Sequence, residues 1–363
     1  MNMLALTTGL DGTTGGWGRY SASLLTTLKE LDVQSVVATP REGGGAYALL
    51  PEYGKYSANL LFAPYYAWKL RKAVKDVDLI HAFVEPYACI AAWLSLFSGK
   101  PYFVTAHGTY AVMPYYVGFP FSPLHHAAMR GARRIIAVSG YTKRRLEAHG
   151  LRNVEAVENG IDFSAFGSDA VVPFAKRENL IVSVGALKRR KGQHLSMAAF
   201  VRLAKRFPGL RYCLVGSDQD AAYSAKLKAL AEEAGVVDRV EFRTDQMGDA
   251  ELRALYRKAK AHVLTPVSEG PHFEGFGLVY LEAGAAGTPS VGARDSGAED
   301  ALRGGEAGLL VSQGDVAAIE NALARLLEDE REWTRVGAAA YENAKAHAWA
   351  AVAKAYARLY GLS

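Results

Sequence analysis

Residues 180–207 read LIVSVGALKRRKGQHLSMAAFVRLAKRF. The opening run, 180–185, is apolar without alternation, as in a strand buried on both faces. Residues 195–207 carry apolar positions at helical spacing. Between them lies a loop with a glycine at each end and four cations, Lys188, Arg189, Arg190 and Lys191. A strand, a glycine-bounded loop and an amphipathic helix in that order make one unit of a parallel α/β sheet.

The same alternation runs along the whole chain. Strands are predicted at 3–8, 33–39, 78–84, 102–106, 134–139 and 154–158, and again at 180–185, 211–216, 240–243, 261–266, 289–293 and 308–311. Helices are predicted at 20–31, 195–207, 221–234, 249–259 and 316–330. Two sets of about six strands in 363 residues imply two doubly wound, Rossmann-like domains. The boundary falls in 163–178, a stretch with no clear period. The domains are expected at 1–165 and 175–345, followed by a helix over 346–363. Trp349, Tyr356 and Tyr360 on that helix suggest packing against something outside its own sheet.

Composition narrows the class. The chain is 50% hydrophobic and 22% charged, which excludes disordered and fibrous proteins. Two separated cysteines and no Cys/His cluster argue against a disulfide framework or a zinc site and fit a reducing compartment. The start, MNMLALTTG, lacks the marks of a signal peptide, and the longest apolar run, 87–97, is well short of the ~20 residues that cross a bilayer. These features predict a cytoplasmic protein. Between Lys55 and Arg145, twelve cations face three anions, a net +9 against +5 for the whole chain. With the aromatic stretch 110–121, this segment suits either peripheral contact with an anionic membrane at the inner face of the cell or an acceptor pocket; a solvated basic face is the plain alternative. Nothing points to nucleic acid.

Ligands in such folds bind beyond the carboxyl ends of the strands. Three loops there carry chemistry. GLDGTTGGWGR, 9–19, holds Gly15 and Gly16 before the first helix but matches no G-x-G-x-x-G or G-K-[ST] pattern. GALKRRKG, 185–192, offers cations suited to a diphosphate, with Lys191 best placed. FEGFGLVYLEAGAAGTP, 273–289, sets Glu274 before a glycine turn and Glu282 on the following helix, with the backbone N–H groups of Phe276, Gly277 and Leu278 free for an anion. His107 in VTAHGTY closes the fourth strand. Of the Asp-x-Asp pairs, Asp76/Asp78 precedes a strand where turn chemistry explains it and Asp218/Asp220 tops the strand at 211–216 near a nucleotide rim; no metal is expected at either.

The ordered set GGWGRYSASLL, DLIHAF, FVTAHGTY, IIAVSGYTKRRL, ENGID, SVGALKRRKG, YCLVGSD, VEFRTDQMGDAELRALY and FEGFGLVYLEAGAAGTPSVG resembles the retaining GT-B glycosyltransferases of family 4 over nearly the whole chain. The resemblance implies two Rossmann-like domains facing a central cleft, with a C-terminal helix crossing back to the N-terminal domain. It implies transfer of a sugar from a nucleotide-diphosphate donor, a UDP- or GDP-sugar, to a hydroxyl of a glycan, a lipid-linked or a small-molecule acceptor, without cofactor or metal. A nucleotide-sugar epimerase or hydrolase of the same fold, or a non-catalytic sugar-nucleotide sensor, is the competing reading. Carried over by position, Glu274 would meet the donor sugar and Glu282 the ribose. Lys191 would bind the diphosphate with Phe276, Gly277 and Leu278, Gly15 and Gly16 would close over it, and His107 would line the reaction centre. Gly216 would stand at the nucleotide rim. The family commonly has arginine where this chain has Ala186, so either Arg189 or Arg190 takes over that charge or the grip on the diphosphate is weaker.

Overall fold

The computed structural model describes residues 1–10, 16–41, 45–52, 56–167, 169–245 and 247–362. The chain forms two compact units, Met1–Gly160 together with Trp349–Ser363, and Ile161–Ala348. The first therefore ends short of the 165 boundary read from the sequence.

The first unit holds a seven-stranded parallel sheet: β1 (Asn2–Leu6), β2 (Gln34–Thr39), β3 (Tyr47–Ala48), β4 (Leu79–Ala82), β5 (Tyr102–Ala106), β6 (Arg134–Ala137) and β7 (Val154–Ala156), in the order β3-β2-β1-β4-β5-β6-β7. Central strands are buried on both faces, which is why their residues do not alternate; Leu4 lies opposite Val36 on one side and Ile80 on the other. One core face packs Met3, Ala5, Phe83, Phe103 and Ile136 against Tyr20, Leu24 and Leu28 of the helix Gly16–Lys29. Val352, Ala353, Tyr356 and Tyr360 of the helix Trp349–Tyr360 join the same cluster. Large apolar side chains buried in this way contribute ~1.5–3 kcal/mol each.

A buried polar network runs through this core. Tyr356 and Tyr20 share a hydroxyl hydrogen bond of 2.8 Å, and His81 on β4 bonds the Tyr360 hydroxyl through Nδ1 at 2.6 Å and Thr105 through Nε2 at 2.9 Å. Each tyrosine thus keeps a partner for its hydroxyl inside the apolar layer, and burial pushes the His81 imidazole down to about 3.

The second unit is a six-stranded parallel sheet: β8 (Glu178–Val184), β9 (Arg211–Val215), β10 (Val240–Arg243), β11 (Ala259–Val263), β12 (Ser290–Ala293) and β13 (Leu309–Val311), in the order β10-β9-β8-β11-β12-β13. Its core sets Ile181, Tyr212, Leu214, Val263 and Val291 against Phe200 and Leu203 of Gln193–Arg206 and Leu323 and Leu326 of Val316–Glu328.

Strand order reverses direction between β1 and β4 in the first sheet and between β8 and β11 in the second. At such a point the loops leave the carboxyl ends toward opposite sides and open a crevice for ligand. The twelve strands expected from the sequence are all present with ends shifted by a few residues; the two-residue edge strand β3 was not foreseen.

Candidate nucleotide-sugar site

In the second unit the loop after β8 and the loop after β11 meet at the switch point. Gly192 makes the first possible: its φ of 74° is left-handed, and a Cβ there would collide with the carbonyl oxygen of Thr265. The turn Arg189–Lys191 is thereby held against the residues that follow β11. Lys191 Nζ reaches Glu274 Oε2 at 2.5 Å, and Arg190 reaches the same oxygen at 3.4 Å and the Phe273 carbonyl at 3.3 Å.

Glu274 is 9% exposed. Burial alone would push its carboxyl up, but the Lys191 ammonium and the Arg190 guanidinium together hold it below the ordinary value, so it is ionised at neutral pH. Lys188 lies in the same loop; burial and then the Arg190 and Lys191 charges pull it down to about 8. The loop therefore gathers several cations around the single carboxylate of Glu274.

Beyond Glu274 the chain turns at Gly277, whose φ of 89° is again left-handed, into the helix Leu278–Ala285. Here a Cβ would lie 2.5 Å from the Tyr280 ring. Phe276, Gly277 and Leu278 therefore sit at a helix N-terminus beside the cations, where backbone N–H groups attract an anion. Glu282, on that helix, is 6% exposed and accepts a hydrogen bond from the Tyr256 hydroxyl at 3.3 Å.

The C-terminal end of this helix is fastened by Arg177. Its guanidinium donates to the carbonyls of Val172, Tyr256, Ala259, Ala286 and Gly287 and, at 2.5 Å, to the Thr288 hydroxyl. A cation against the carbonyl end of a helix complements its dipole. Nothing in the order of residues singles out Arg177, because its partners are mostly backbone carbonyls from distant segments.

The remaining candidates divide. Arg189 points away from Glu274 and pairs with Glu269 at 3.2 Å, both largely exposed. Glu269 belongs to a tight hairpin with His272. Gly216, with φ 148°, ends β9 against the Gly185 carbonyl, so the rim after β9 touches the loop after β8. Asp218 accepts from the Ser224 hydroxyl at 2.7 Å and Asp220 caps the helix Ala221–Glu233, while Asp78 accepts from the Asn2 amide. These aspartates serve local structure.

In the first unit Gly16 opens the helix Gly16–Lys29, and Gly15 lies outside the described residues. His107 follows β5. Its Nε2 lies 2.8 Å from the Phe83 carbonyl, which can only accept, so Nε2 carries the proton and Nδ1 is the acceptor. Burial pushes this imidazole down to about 4, so it is neutral at physiological pH. Tyr20 stands edge-on to its ring at 4.6 Å and Trp17 tilts against it at 6.1 Å. Sequence reasoning missed Glu85, which lies beneath this turn and touches its backbone.

Comparison with known proteins places these features in context. The family model "Glycosyl transferases group 1" matches residues 168–343 and "Glycosyltransferase Family 4" matches 14–165. The D-inositol 3-phosphate glycosyltransferase of Corynebacterium efficiens is 34% identical over 219 residues, 57% of this chain and 50% of that protein, so the chain spans about half the length of that relative. A GDP-mannose-dependent alpha-(1-6)-phosphatidylinositol monomannoside mannosyltransferase of Mycobacterium tuberculosis is 28% identical over 292 residues, 76% of this chain and 73% of that one. Among solved structures, Anabaena HepE in complex with UDP and glucose superposes with a TM-score of 0.78 at 21% identity, covering 100% of both chains. Sucrose-phosphate synthase from Thermosynechococcus elongatus does so with 0.80 at 22%, over 99% of this chain and 98% of that one. At these identities the two structures speak to the fold.

Proposed function

Since the chain belongs to the glycosyltransferases of family 4, with the group 1 transferase region as its second unit, we propose that it moves a sugar from a nucleotide-diphosphate donor to a hydroxyl acceptor with retention at the anomeric carbon. The observation that carries this reading is the convergence of Lys191 and Arg190 on Glu274 at the switch point between β8 and β11.

The chemistry follows from that arrangement. Cleavage of the bond from the anomeric carbon to the diphosphate oxygen puts negative charge on the leaving group. Lys191, Arg190 and the N-terminus of Leu278–Ala285 stabilise that charge as it develops. Glu274 accepts hydrogen bonds from hydroxyls of the transferred sugar and Glu282 from the ribose. The acceptor oxygen attacks from the face the diphosphate leaves, and its proton passes to a phosphate oxygen, so neither carboxylate acts as a general base. No metal is required to balance the charge. Arg190, rather than Arg189, takes the place of the arginine absent at Ala186, because Arg190 is the one drawn to Glu274. Neutral His107 offers Nδ1 to a sugar hydroxyl.

The donor is a UDP- or GDP-sugar. The relatives' names, which carry inositol phosphate and a phosphatidylinositol mannoside, favour a polyol or lipid-linked acceptor. Contact with an anionic bilayer agrees with that, and the supporting feature is a row of exposed side chains. Phe62, Tyr65 and Trp68 on or beside the helix Ala63–Leu70 are 59%, 53% and 54% exposed, and Leu96 and Phe97 on Ala88–Ser98 are 72% and 50% exposed. Lys69 and Arg71 lie over the Tyr65 and Trp68 rings. No described helix is long and apolar enough to cross a membrane.

The test is thermal shift with UDP, GDP and their common sugars, followed by release of nucleoside diphosphate with and without inositol phosphate and glycan acceptors. Acceptor-dependent release with a retained anomer supports the proposal. Release to water alone would make the protein a hydrolase, and binding without release a sensor.

A further inference from the structure

The first unit has its own switch point, between β1 and β4. The loop after β4 begins Phe83–Val84–Glu85, and Glu85 opens the short turn Glu85–Tyr87. By topology this residue is the counterpart of Glu274: each follows the strand that lies directly beside the first strand of its sheet. Glu85 is 1% exposed. A buried carboxyl at a strand's carboxyl end, in a family whose chemistry is grouped at such ends, calls for a reason.

The contacts supply one. Oε1 accepts the backbone N–H of His107 at 2.5 Å and that of Gly108 at 3.0 Å, while Oε2 is buried with no hydrogen-bond partner among the described residues. Gly108 has φ 142° and precedes the helix Thr109–Val117, so the two N–H groups Glu85 holds belong to a turn of unusual backbone shape. The His107 ring is fixed from the other side by Nε2 to the Phe83 carbonyl, two residues before Glu85. Backbone and ring of His107 are thus both tied to the segment Phe83–Glu85. Burial pushes the Glu85 carboxyl up to about 7, and the protonated form keeps Oε1 as acceptor for both N–H groups.

We propose that Glu85 is a positioning residue for the transfer reaction, clamping the His107–Gly108 turn through Oε1 so that the imidazole meets the reacting sugar in one orientation. It acts through His107 and touches no substrate itself. The inference rests on the functional reading above, and its test separates the two.

Glu85→Ala, Glu85→Gln and His107→Ala are compared singly, together with the Glu85→Ala/His107→Ala double variant, using the UDP- or GDP-sugar found by thermal shift. A misplaced catalytic group costs up to roughly 100-fold in rate, so E85A is expected to lose about that in kcat with its donor KM within twofold of the parent. Glutamine keeps an acceptor oxygen at the same reach, so E85Q retains kcat within about threefold. In the H107A background E85A adds no further loss, the non-additivity of residues that act as one. Hydrogen–deuterium exchange over 103–110 reads the clamp without any assay of transfer: E85A speeds exchange of the His107 and Gly108 amides and E85Q does not. Undiminished kcat in E85A, losses that add to those of H107A, or a donor KM that rises as far as kcat falls would each overturn the proposal. If the alanine variant does not fold, E85Q still decides, because a loss beyond tenfold there means that the carboxyl itself rather than its acceptor oxygen is used. Should the unaltered chain transfer no sugar at all, the functional reading fails, and unchanged amide exchange in E85A would remove the clamp as well.

Discussion

Lys191 Nζ and Glu274 Oε2 are 2.5 Å apart although 83 residues separate them in sequence. The pair joins the loop after β8 to the loop after β11, and it keeps both charges in a shielded place. In the proposed transfer the pair is both a fastening and a site that exchanges its partner: a diphosphate would compete for Lys191, and a sugar's hydroxyls for the carboxylate.

That double use can be measured. Glu274→Gln is expected to lower transfer by roughly 100- to 1,000-fold, the range for losing a group aimed at the reacting centre. Lys191→Met should do likewise while weakening nucleoside diphosphate binding more than E274Q does. Each change alone leaves its partner uncompensated, so the double variant should be less destabilised than the sum of the two. The carboxyl is held below its ordinary value, so the pair's contribution is full above about pH 4.3 and fades as the pH falls through the lower folded-state value. Urea titrations of the four proteins at pH 7 and pH 4 check it; strict additivity would refute the pairing.

Acid should loosen the fold well before that. His81, His125 and His262 are fully buried, and burial pushes them down to about 3, 4 and 3. In the unfolded chain each takes a proton near pH 6.5 while the folded protein does not, so stability is greatest above that value and falls as the pH drops toward the folded-state values. At pH 5.5 the cost is about 1.4 kcal/mol for each histidine. Calorimetric melting at pH 7.5, 6.5 and 5.5 should show Tm falling across the series, and a flat profile would contradict buried neutral imidazoles.

Arg177→Ala should be among the most damaging substitutions outside the cation loop. It removes the donors for five carbonyls and the Thr288 hydroxyl in a buried place, and the loss is expected at about 3–5 kcal/mol. Arg177→Lys, one compact donor in place of a fork, should recover less than half. Because Ala286 and Gly287 end the helix that bears Glu282, nucleotide affinity should fall even at temperatures where the variant is folded. Denaturant midpoints and nucleotide titrations carry the comparison.

The exposed aromatic row predicts adhesion to lipid. Vesicles containing about one-third anionic lipid should sediment the protein at low salt and release it at high salt, as expected when lysines and arginines draw it to the surface. A Trp68→Ser/Leu96→Ser/Phe97→Ser variant should stay in the supernatant with an unchanged melting temperature, since these side chains are at least half exposed. Equal binding to neutral vesicles would leave the basic residues without a part in it.

The fold was legible because central strands of parallel sheets are uniformly apolar, and the loop LIVSVGALKRRKG announces one of them. β3 escaped notice because two residues show no period, and the helix Phe163–Gly167 lay in a stretch rich in turn residues. Within the site, glycines and charges flagged Lys191, Glu274 and the turn at Gly277. Their order along the chain could not tell which of Arg189 and Arg190 faces inward, because that depends on a left-handed turn at Gly192 and the collision it avoids with Thr265. Glu85 was hidden for the opposite reason: read as one of three acids in a basic segment, it lost its meaning until β4 and β5 were seen side by side. An acid next to proline inside the apolar run HAFVEPYACI is the signal that would have found it.

The helix Trp349–Tyr360 completes the core of the first unit through Tyr20, His81 and Thr105. Residues 161–348 are contiguous, whereas the first unit must wait for residues 349–363. During synthesis, then, the first unit is begun before the second and finished after it. Until that helix leaves the ribosome, the His81 and Tyr20 side chains have no tyrosine partners and one apolar face of the first sheet lacks its cover. Until then the first unit keeps an apolar face uncovered, the reverse of the domain-by-domain order usual for proteins whose domains are continuous in sequence.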